Sequence, residues 1–286
     1  METRYDVAIV GGGILGLATA RALLERAPRT RLAILEKEAK LGQHQTGHNS
    51  GVIHAGIYYK PGSYKARLTV EGGRLMTQFC DEHGIRYDRI GKLIVATSAD
   101  EVPRLMALYE RGTANGVPGL EVLDQDHARE IEPHAACVRA VRSPHTAIID
   151  YGEVVAALAQ DLKTQGVDIL TSSGVTAIRR VAGDLELTTD QGGVRAARMV
   201  NCAGLYSDRV ARMAGATPDV QIIPFRGEYY FVRPERRDLV RGLIYPVPDP
   251  AFPFLGVHFT RTVHGDVEAG PNAVLAFARE GYRFGR

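Results

Sequence analysis

The chain opens on a short apolar run, Tyr5-Asp6-Val7-Ala8-Ile9-Val10, that breaks into Gly11-Gly12-Gly13-Ile14-Leu15-Gly16. A compact apolar stretch bounded by glycine predicts a buried strand, and the spacing after it predicts a helix over Leu15–Arg26. A second apolar strand follows at Arg31–Leu35. Ser63–His83 has the pattern of a helix ended by Gly84, with Leu68, Leu75, Met76 and Phe79 on one face. Lys92–Thr97 is an expected strand and Ala99–Arg111 an amphipathic helix, and another short helix begins at Leu123-Asp124 and stops at Pro133. Asp150–Gln165 is a helix closed by Gly166 as its C-terminal cap. Strands are expected at Val167–Leu170 and Gly174–Ile178, then a hairpin of Leu185–Thr189 and Val194–Val200 around Asp190–Gly193. Asn201-Cys202-Ala203-Gly204 turns the chain into a helix over Leu205–Ala214.

From Gln221 the texture changes. Ile222–Val232, Leu243–Tyr245 and Gly256–Thr260 alternate as strands between prolines, the pattern of a mixed sheet. The expected fold class is α/β: a Rossmann-like nucleotide-binding domain interleaved with an α+β, mixed-sheet substrate domain. The expected boundaries are 1–90 and 145–220 for the first, and 91–144 and 221–286 for the second, which looks incomplete.

The glycine run carries chemistry. Gly11 permits a tight turn, Gly13 lets the backbone approach a pyrophosphate, and Gly16 lets the helix pack closely on the strand. The helix beginning near Ile14 and Leu15 points its amides and positive dipole end at that anion. Glu36 stands twenty residues after Gly16, with Lys37 beside it. A carboxylate there accepts from a ribose 2′-OH and repels a 2′-phosphate, so an unphosphorylated adenosine is expected.

Bulk properties narrow the field. The 286 residues suffice for two domains, and 45% hydrophobic and 24% charged residues are ordinary globular values. A net charge of +2 gives no reason to invoke nucleic acid or an anionic membrane. Cys80, Cys137 and Cys202 form no metal or CxxC spacing and suggest buried thiols in a reducing compartment. Val7–Ala20 is preceded by Asp6, has no basic n-region and is interrupted by Gly11–Gly13, which argues against a signal peptide. No run approaches a membrane span. The expectation is a cytoplasmic protein, at most peripheral at the inner face of a membrane.

The glycine fingerprint, the Leu123-Asp124…Glu132-Pro133 segment and Asn201-Cys202-Ala203-Gly204-Leu205-Tyr206-Ser207-Asp208 together resemble the D-amino-acid-oxidase superfamily of flavoenzymes. Within it, His48-Asn49-Ser50-Gly51-Val52-Ile53-His54-Ala55-Gly56-Ile57-Tyr58-Tyr59 resembles the signature of the L-2-hydroxyglutarate dehydrogenase/oxidase group. Pro224–Tyr230 and Gly256–Arg261 match it as well. The resemblance implies FAD as cofactor, oxidation of a small 2-hydroxy acid, and transfer of electrons to oxygen or a quinone-type acceptor. It implies that Gly11, Gly13, Ile14, Leu15 and Gly16 surround the pyrophosphate, with Glu36 and Lys37 at the ribose and Val175 at the adenine. Ala203 and Gly204 would pass beneath the pyrophosphate, where a larger side chain would collide. Thr46, Asn49, Ser50, Gly51 and His54 would approach the flavin. Members resembling this chain continue well past Arg286, so the resemblance also implies a C-terminally truncated piece.

Oxidising a 2-hydroxy acid needs a base for the hydroxyl proton, and histidine is the usual choice near neutrality. His258, mid-strand between Val257 and Phe259, is the first candidate, although a satisfied core histidine has the same pattern. His54, in the flavin-side loop, is the second. Arg226 and Arg261 are candidate carboxylate anchors, against the plainer reading of surface charges or a pair with Glu228. Tyr59 and Tyr230 are candidate hydrogen-bond donors to a carboxylate, against simple packing. No metal-ligand spacing or Gly-x-Ser-x-Gly nucleophile motif is present. Two alternatives stay open: a related FAD oxidoreductase acting on an amine or glycerol phosphate, and a catalytically silent FAD-binding fragment.

Overall fold

The computed structural model describes residues 4–251 and 256–283. The opening apolar run is strand Arg4–Val10, and its last four residues are buried. It is the parallel centre of a six-stranded sheet, flanked by Leu32–Leu35 and Gly192–Asn201. Asp168–Leu170 extends the sheet beyond Leu32–Leu35. On the other side Asp184–Thr189 and Val175–Val181 add an antiparallel meander. Strands buried on both faces need no alternation, so Leu32-Ala33-Ile34-Leu35 is an unbroken apolar run. Helix Ile14–Arg26 buries Gly16, Leu17, Ala20 and Leu24, and helix Tyr151–Thr164 buries Val154, Val155, Leu158, Ala159 and Leu162.

Two units are interleaved along the chain: Met1–Asn49 with Tyr151–Pro224 and Leu275–Arg286, and Ser50–Asp150 with Phe225–Val274. The boundaries differ from the sequence expectation: residues 221–224 fall in the first unit, and larger stretches change sides as well. Residues 50–90 and 145–150 belong to the second unit, because Val52 and Ile53 pair with Ala147–Ile149 and Ile57 enters the core around Ile94, Leu105 and Val141. The segment from Leu275 belongs to the first unit. There Arg279 clamps both carboxylate oxygens of Asp208, at 2.5 and 2.7 Å, and holds that carboxyl well below its usual range.

The second unit carries a seven-stranded mixed sheet. Its order is Phe225–Phe231, Val267–Leu275, His258–Arg261, Leu243–Pro246, Lys92–Ala96, Arg139–Ser143, Glu121–Asp124. Lys92–Ala96 and Leu243–Pro246 run parallel, while their outer neighbours run antiparallel. Val267–Leu275 and Arg139–Ser143 were not expected from sequence. Their polar and glycine residues hide the apolar alternation.

Helix Tyr64–His83 has the expected ends: Ser63 Oγ accepts from Ala66 N, and Gly84 takes the left-handed conformation. Its packed face is only partly the expected one, Phe79 being buried and Met76 half-buried. Ala66, Phe79 and Cys80 are buried, whereas Leu68 and Leu75 are exposed. Small residues form the inner stripe, and Gly73 faces Ile53 and the His54 carbonyl. Counting large apolar side chains therefore finds Phe79 but misplaces Leu68 and Leu75. The helix expected at Ala99–Arg111 begins with a 3-10 turn, becoming α-helical over Val102–Ala114. Leu123-Asp124 closes a strand, and Asp124 caps helix Gln125–Ile131 by accepting from His127 N.

Glu132 is a buried brace. Its carboxylate accepts from Arg241 N at 3.0 Å and Gly242 N at 2.6 Å, leading the chain into strand Leu243–Pro246. Truncation strands both amides, and each buried unsatisfied donor costs about 1–3 kcal/mol. Glu132→Ala is expected to lower stability by about 2–4 kcal/mol in urea unfolding of this unit. An unchanged midpoint would mean that water replaces the carboxylate.

Candidate functional site: a nucleotide cleft and a buried cationic cluster

A cleft of about 680 Å³ lies within the first unit, at the carboxyl ends of its parallel strands. Its floor is the turn after Val10. Gly11 has φ +115°, and a Cβ on it would lie 2.2 Å from the Cys202 carbonyl oxygen. A Cβ on Gly16 would lie 2.0 Å from the Gly11 oxygen. Both glycines are therefore fixed by backbone packed against backbone. Gly204 has φ +52°, the left-handed region, and a Cβ there would meet no described protein atom closer than Gln45 Oε1 at 3.8 Å. The tight crossing lies between Gly11 and the Cys202-Ala203 backbone.

Most expected cofactor contacts converge here. Gly11, Gly13, Ile14, Leu15, Glu36, Lys37, Thr46, Asn49, Val175, Ala203 and Gly204 line the cleft, with Gly16 behind the turn. Ser50, Gly51 and His54 lie in the second unit. Glu36 is buried, accepting from Gly12 N at 2.7 Å and Glu38 N at 2.8 Å. A carboxylate has about four acceptor sites, so capacity remains for ribose hydroxyls. Gly13 precedes the helix without a side-chain cap, and Thr46 Oγ1 accepts from Ile14 N at 3.2 Å. Amides at a helix start, a glycine floor and an acidic residue on the second strand fit a dinucleotide. His44, Tyr206 and Glu280 also line the cleft and were not anticipated. Lys37 ion-pairs with both Glu38 and Glu280, and His44 joins them through Glu38 at 3.0 Å.

The second unit holds a different kind of site. Cross-strand register places Lys92 beside Leu243, Leu243 beside Thr260, and Ile94 beside Tyr245. Paired positions share a face, so Lys92, Tyr245, His258 and Thr260 project from the same side of the sheet. Lys92 is 2% exposed, and its ammonium lies 4.8 Å from the Tyr58 ring centre and 4.9 Å from that of Tyr245. No carboxylate among the described residues pairs with it, and burial pushes Lys92 down to about 7. His258 stacks on Tyr245 with ring centres 3.8 Å apart. Burial lowers the His258 imidazole, the nearby Lys92 charge adds to this, and the Gly256 carbonyl opposes it. His54 is pushed down to about 3 by burial first, then by the Lys92 and His258 charges. Burial raises Tyr245 to about 12 and raises Tyr58 further. The Tyr58, Tyr245 and Thr260 hydroxyls are buried without a hydrogen-bond partner among the described residues. Thr260 is close enough to temper the Tyr245 shift, but the two oxygens do not reach hydrogen-bond geometry.

The chain matches the family described as FAD dependent oxidoreductase over residues 6–284. It belongs to that family. It is 50% identical to the human mitochondrial L-2-hydroxyglutarate dehydrogenase over 98% of this chain and 63% of that protein. It is 48% identical to the Escherichia coli (strain K12) L-2-hydroxyglutarate dehydrogenase over 98% of this chain and 66% of that protein. The chain thus spans slightly under two thirds of these relatives. Its fold is similar to an FAD-bound L-alpha-glycerophosphate oxidase from Mycoplasma pneumoniae, with a TM-score of 0.87 and 27% identity, covering 97% of this chain and 73% of that one. A glycine oxidase from Geobacillus kaustophilus gives 0.81 and 25% identity over 96% and 73%. FAD is the family's cofactor, and the cleft's residues fit it. No described helix is long and apolar enough to cross a membrane.

Several expected substrate residues lie apart from the cluster. Arg226 Nη2 bonds Glu228 at 2.7 Å. Alternation puts both on the face opposite Tyr229, whose ring occupies the direction of a Gly270 Cβ, and Gly270 pairs with His258. Arg261 shares the Phe259 face, opposite His258 and Thr260, and donates to the Val240 carbonyl at 3.2 Å. Tyr230 is 74% exposed. Tyr59 contributes its carbonyl, which accepts from Asn115 Nδ2. Its neighbour Tyr58 is the tyrosine that meets Lys92. Sequence reasoning missed Lys92, Tyr58, Tyr245 and Thr260. The available signal was a lysine opening an otherwise wholly buried strand, Lys92-Leu93-Ile94-Val95-Ala96.

Gly11→Ala in the FAD-loaded protein is expected to cost roughly 2–4 kcal/mol and to abolish the flavin absorbance. Gly72→Ala, mid-helix with nothing within 4 Å of the new Cβ, should stabilise by about 0.5–1 kcal/mol and leave flavin content intact. Equal effects in the two variants would contradict the packing described for Gly11.

Proposed function

We propose that this protein oxidises L-2-hydroxyglutarate, or a close 2-hydroxy diacid, to the corresponding 2-oxo acid, and that electrons pass on to oxygen or a quinone-type acceptor. The observation that carries this reading is a desolvated histidine, one ring nitrogen without a partner among the described residues, near a buried ammonium that no described carboxylate pairs. Similarity to L-2-hydroxyglutarate dehydrogenases over nearly the whole chain supports the choice of substrate.

FAD, when bound, supplies a two-electron acceptor for the hydride on C2 of the hydroxy acid. The protein's own contribution is to the hydroxyl proton. His258 Nδ1 lies 2.9 Å from the Gly256 carbonyl oxygen. A carbonyl only accepts, so Nδ1 carries the hydrogen and neutral Nε2 keeps its lone pair. That tautomer suits a base. Stacking on Tyr245 fixes the ring plane, and burial keeps the imidazole neutral at neutral pH. His54 is more strongly held neutral and is better suited to a hydrogen bond than to proton uptake.

In the holoenzyme, anaerobic L-2-hydroxyglutarate is expected to bleach the flavin, while the D isomer and glycerol 3-phosphate are not. Bleaching by glycerol 3-phosphate alone would overturn the substrate assignment. His258→Gln should slow flavin reduction roughly 100-fold or more with flavin content retained, the usual consequence of losing a general base. The pH dependence has a definite sign. Because His258 lies below the ordinary histidine value, the rate constant for flavin reduction at saturating substrate should stay flat across pH 7 and fall only below about 6.5. A fall beginning well above 7 would point to another base.

A further inference from the structure

The carboxylate anchors suggested by the sequence were arginines, and the structure ties both elsewhere. It offers instead a lysine with no counter-charge among the described residues. Lys92 sits nearly sealed between the faces of Tyr58 and Tyr245. Tyr58 and Tyr245 bring two buried hydroxyls to this patch, and Thr260, two strands from Lys92 on the same sheet face and close to Tyr245, brings a third; none has a hydrogen-bond partner among the described residues. Buried polar groups are nearly always satisfied, and a buried charge is ordinarily paired. One ammonium and three hydroxyls left open in one place are complementary to one ligand: an anion with several acceptor oxygens. The other titratable groups at Lys92 are His54, His258 and the two phenols, and none of them is a carboxylate.

We propose that Lys92 Nζ, with the Tyr58, Tyr245 and Thr260 hydroxyls, forms the subsite that receives a carboxylate of the substrate. This deepens the reading of the protein as a 2-hydroxy diacid oxidoreductase and rests on it for the identity of the ligand. The carboxylate supplies the missing counter-charge, and its oxygens accept from the ammonium and the hydroxyls. Binding carries a proton signature. Burial without a partner leaves Lys92 near 7, so at pH 8 the free site is mostly uncharged. A carboxylate beside it favours the ammonium, so ligand binding at pH 8 draws a proton from solvent.

The test uses the FAD-loaded holoenzyme and glutarate, a dicarboxylate that lacks the reacting hydroxyl. Calorimetric titration at pH 8 in buffers of different ionisation enthalpy is expected to show uptake of most of one proton per glutarate bound. Lys92→Met keeps an unbranched side chain, one atom shorter, and removes the charge. It should weaken glutarate binding by about 30-fold or more, in the range of a lost hydrogen bond to a charged group, and abolish the proton uptake. Its flavin content should equal wild type and its melting temperature should hold or rise, because an uncompensated buried charge is removed. Thr260→Val provides a second variant that leaves the lysine in place; it should weaken glutarate binding several-fold without lowering the melting temperature.

Glutarate affinity within threefold of wild type in Lys92→Met, or proton uptake that persists, would overturn the proposal. If Lys92→Met does not fold, an unaltered glutarate affinity in Thr260→Val together with no proton uptake in the wild type overturns it as well. The functional reading fails separately. A wild type that binds glutarate with Lys92-dependent proton uptake, yet is not reduced by L-2-hydroxyglutarate, keeps the subsite and refutes that substrate.

Discussion

The nucleotide unit depends on one steric constraint: the carbonyl oxygen of Cys202 occupies the place where any side chain on Gly11 would have to stand. Strand Arg4–Val10 runs parallel to Gly192–Asn201, and the two leave the sheet side by side, Val10 opposite Asn201. The Cys202 amide donates to the Val10 carbonyl at 2.8 Å, and the Gly11 amide donates to that of Leu35. Three strand ends are thereby sewn together at one glycine. Everything that makes the cleft selective follows from that pin. It turns the chain into the helix start at Gly13, brings Glu36 within reach of the Gly12 amide, and sets Ala203 on the cleft wall.

Because that constraint is local, it was legible in the sequence. A strand, a glycine elbow, a helix and an acidic residue at fixed spacing each restrict backbone within a few residues of one another. The caps Ser63, Gly84 and Gly166 were legible for the same reason. The misreadings share a different cause. The inner stripe of helix Tyr64–His83 uses Ala66 and Gly73, residues that carry almost no hydrophobic signal but allow close approach. Arg226 and Arg261 lie in strands of the same seven-stranded sheet as His258, yet a single step along a strand reverses the face. Lys92 was passed over because its meaning lies in Tyr58, Tyr245 and Thr260, which only the sheet register brings to it. Periodicity states which residues can be buried, and register states which of them meet.

In the proposed function, the cluster resolves a conflict that any 2-hydroxy acid site faces. An anchor for a carboxylate must be charged, while a base for the hydroxyl proton must be uncharged, at the same pH and within one desolvated patch. Burial alone moves lysine and histidine in the same direction, away from the charged form. It moves them from different starting values. Lys92 falls from 10.5 only to about 7, whereas His258 starts at 6.5 and falls from there. Between those two values the lysine can still be an ammonium while the imidazole holds a lone pair. Their proximity widens the gap: charge on Lys92 disfavours charge on His258 and His54. An incoming carboxylate raises the lysine further and partly cancels its repulsion of a protonated histidine, which favours proton transfer to His258 once substrate is in place. Under the proposed assignment, proton acceptance is coupled to occupancy of the Lys92 subsite through ordinary electrostatics, with no moving part.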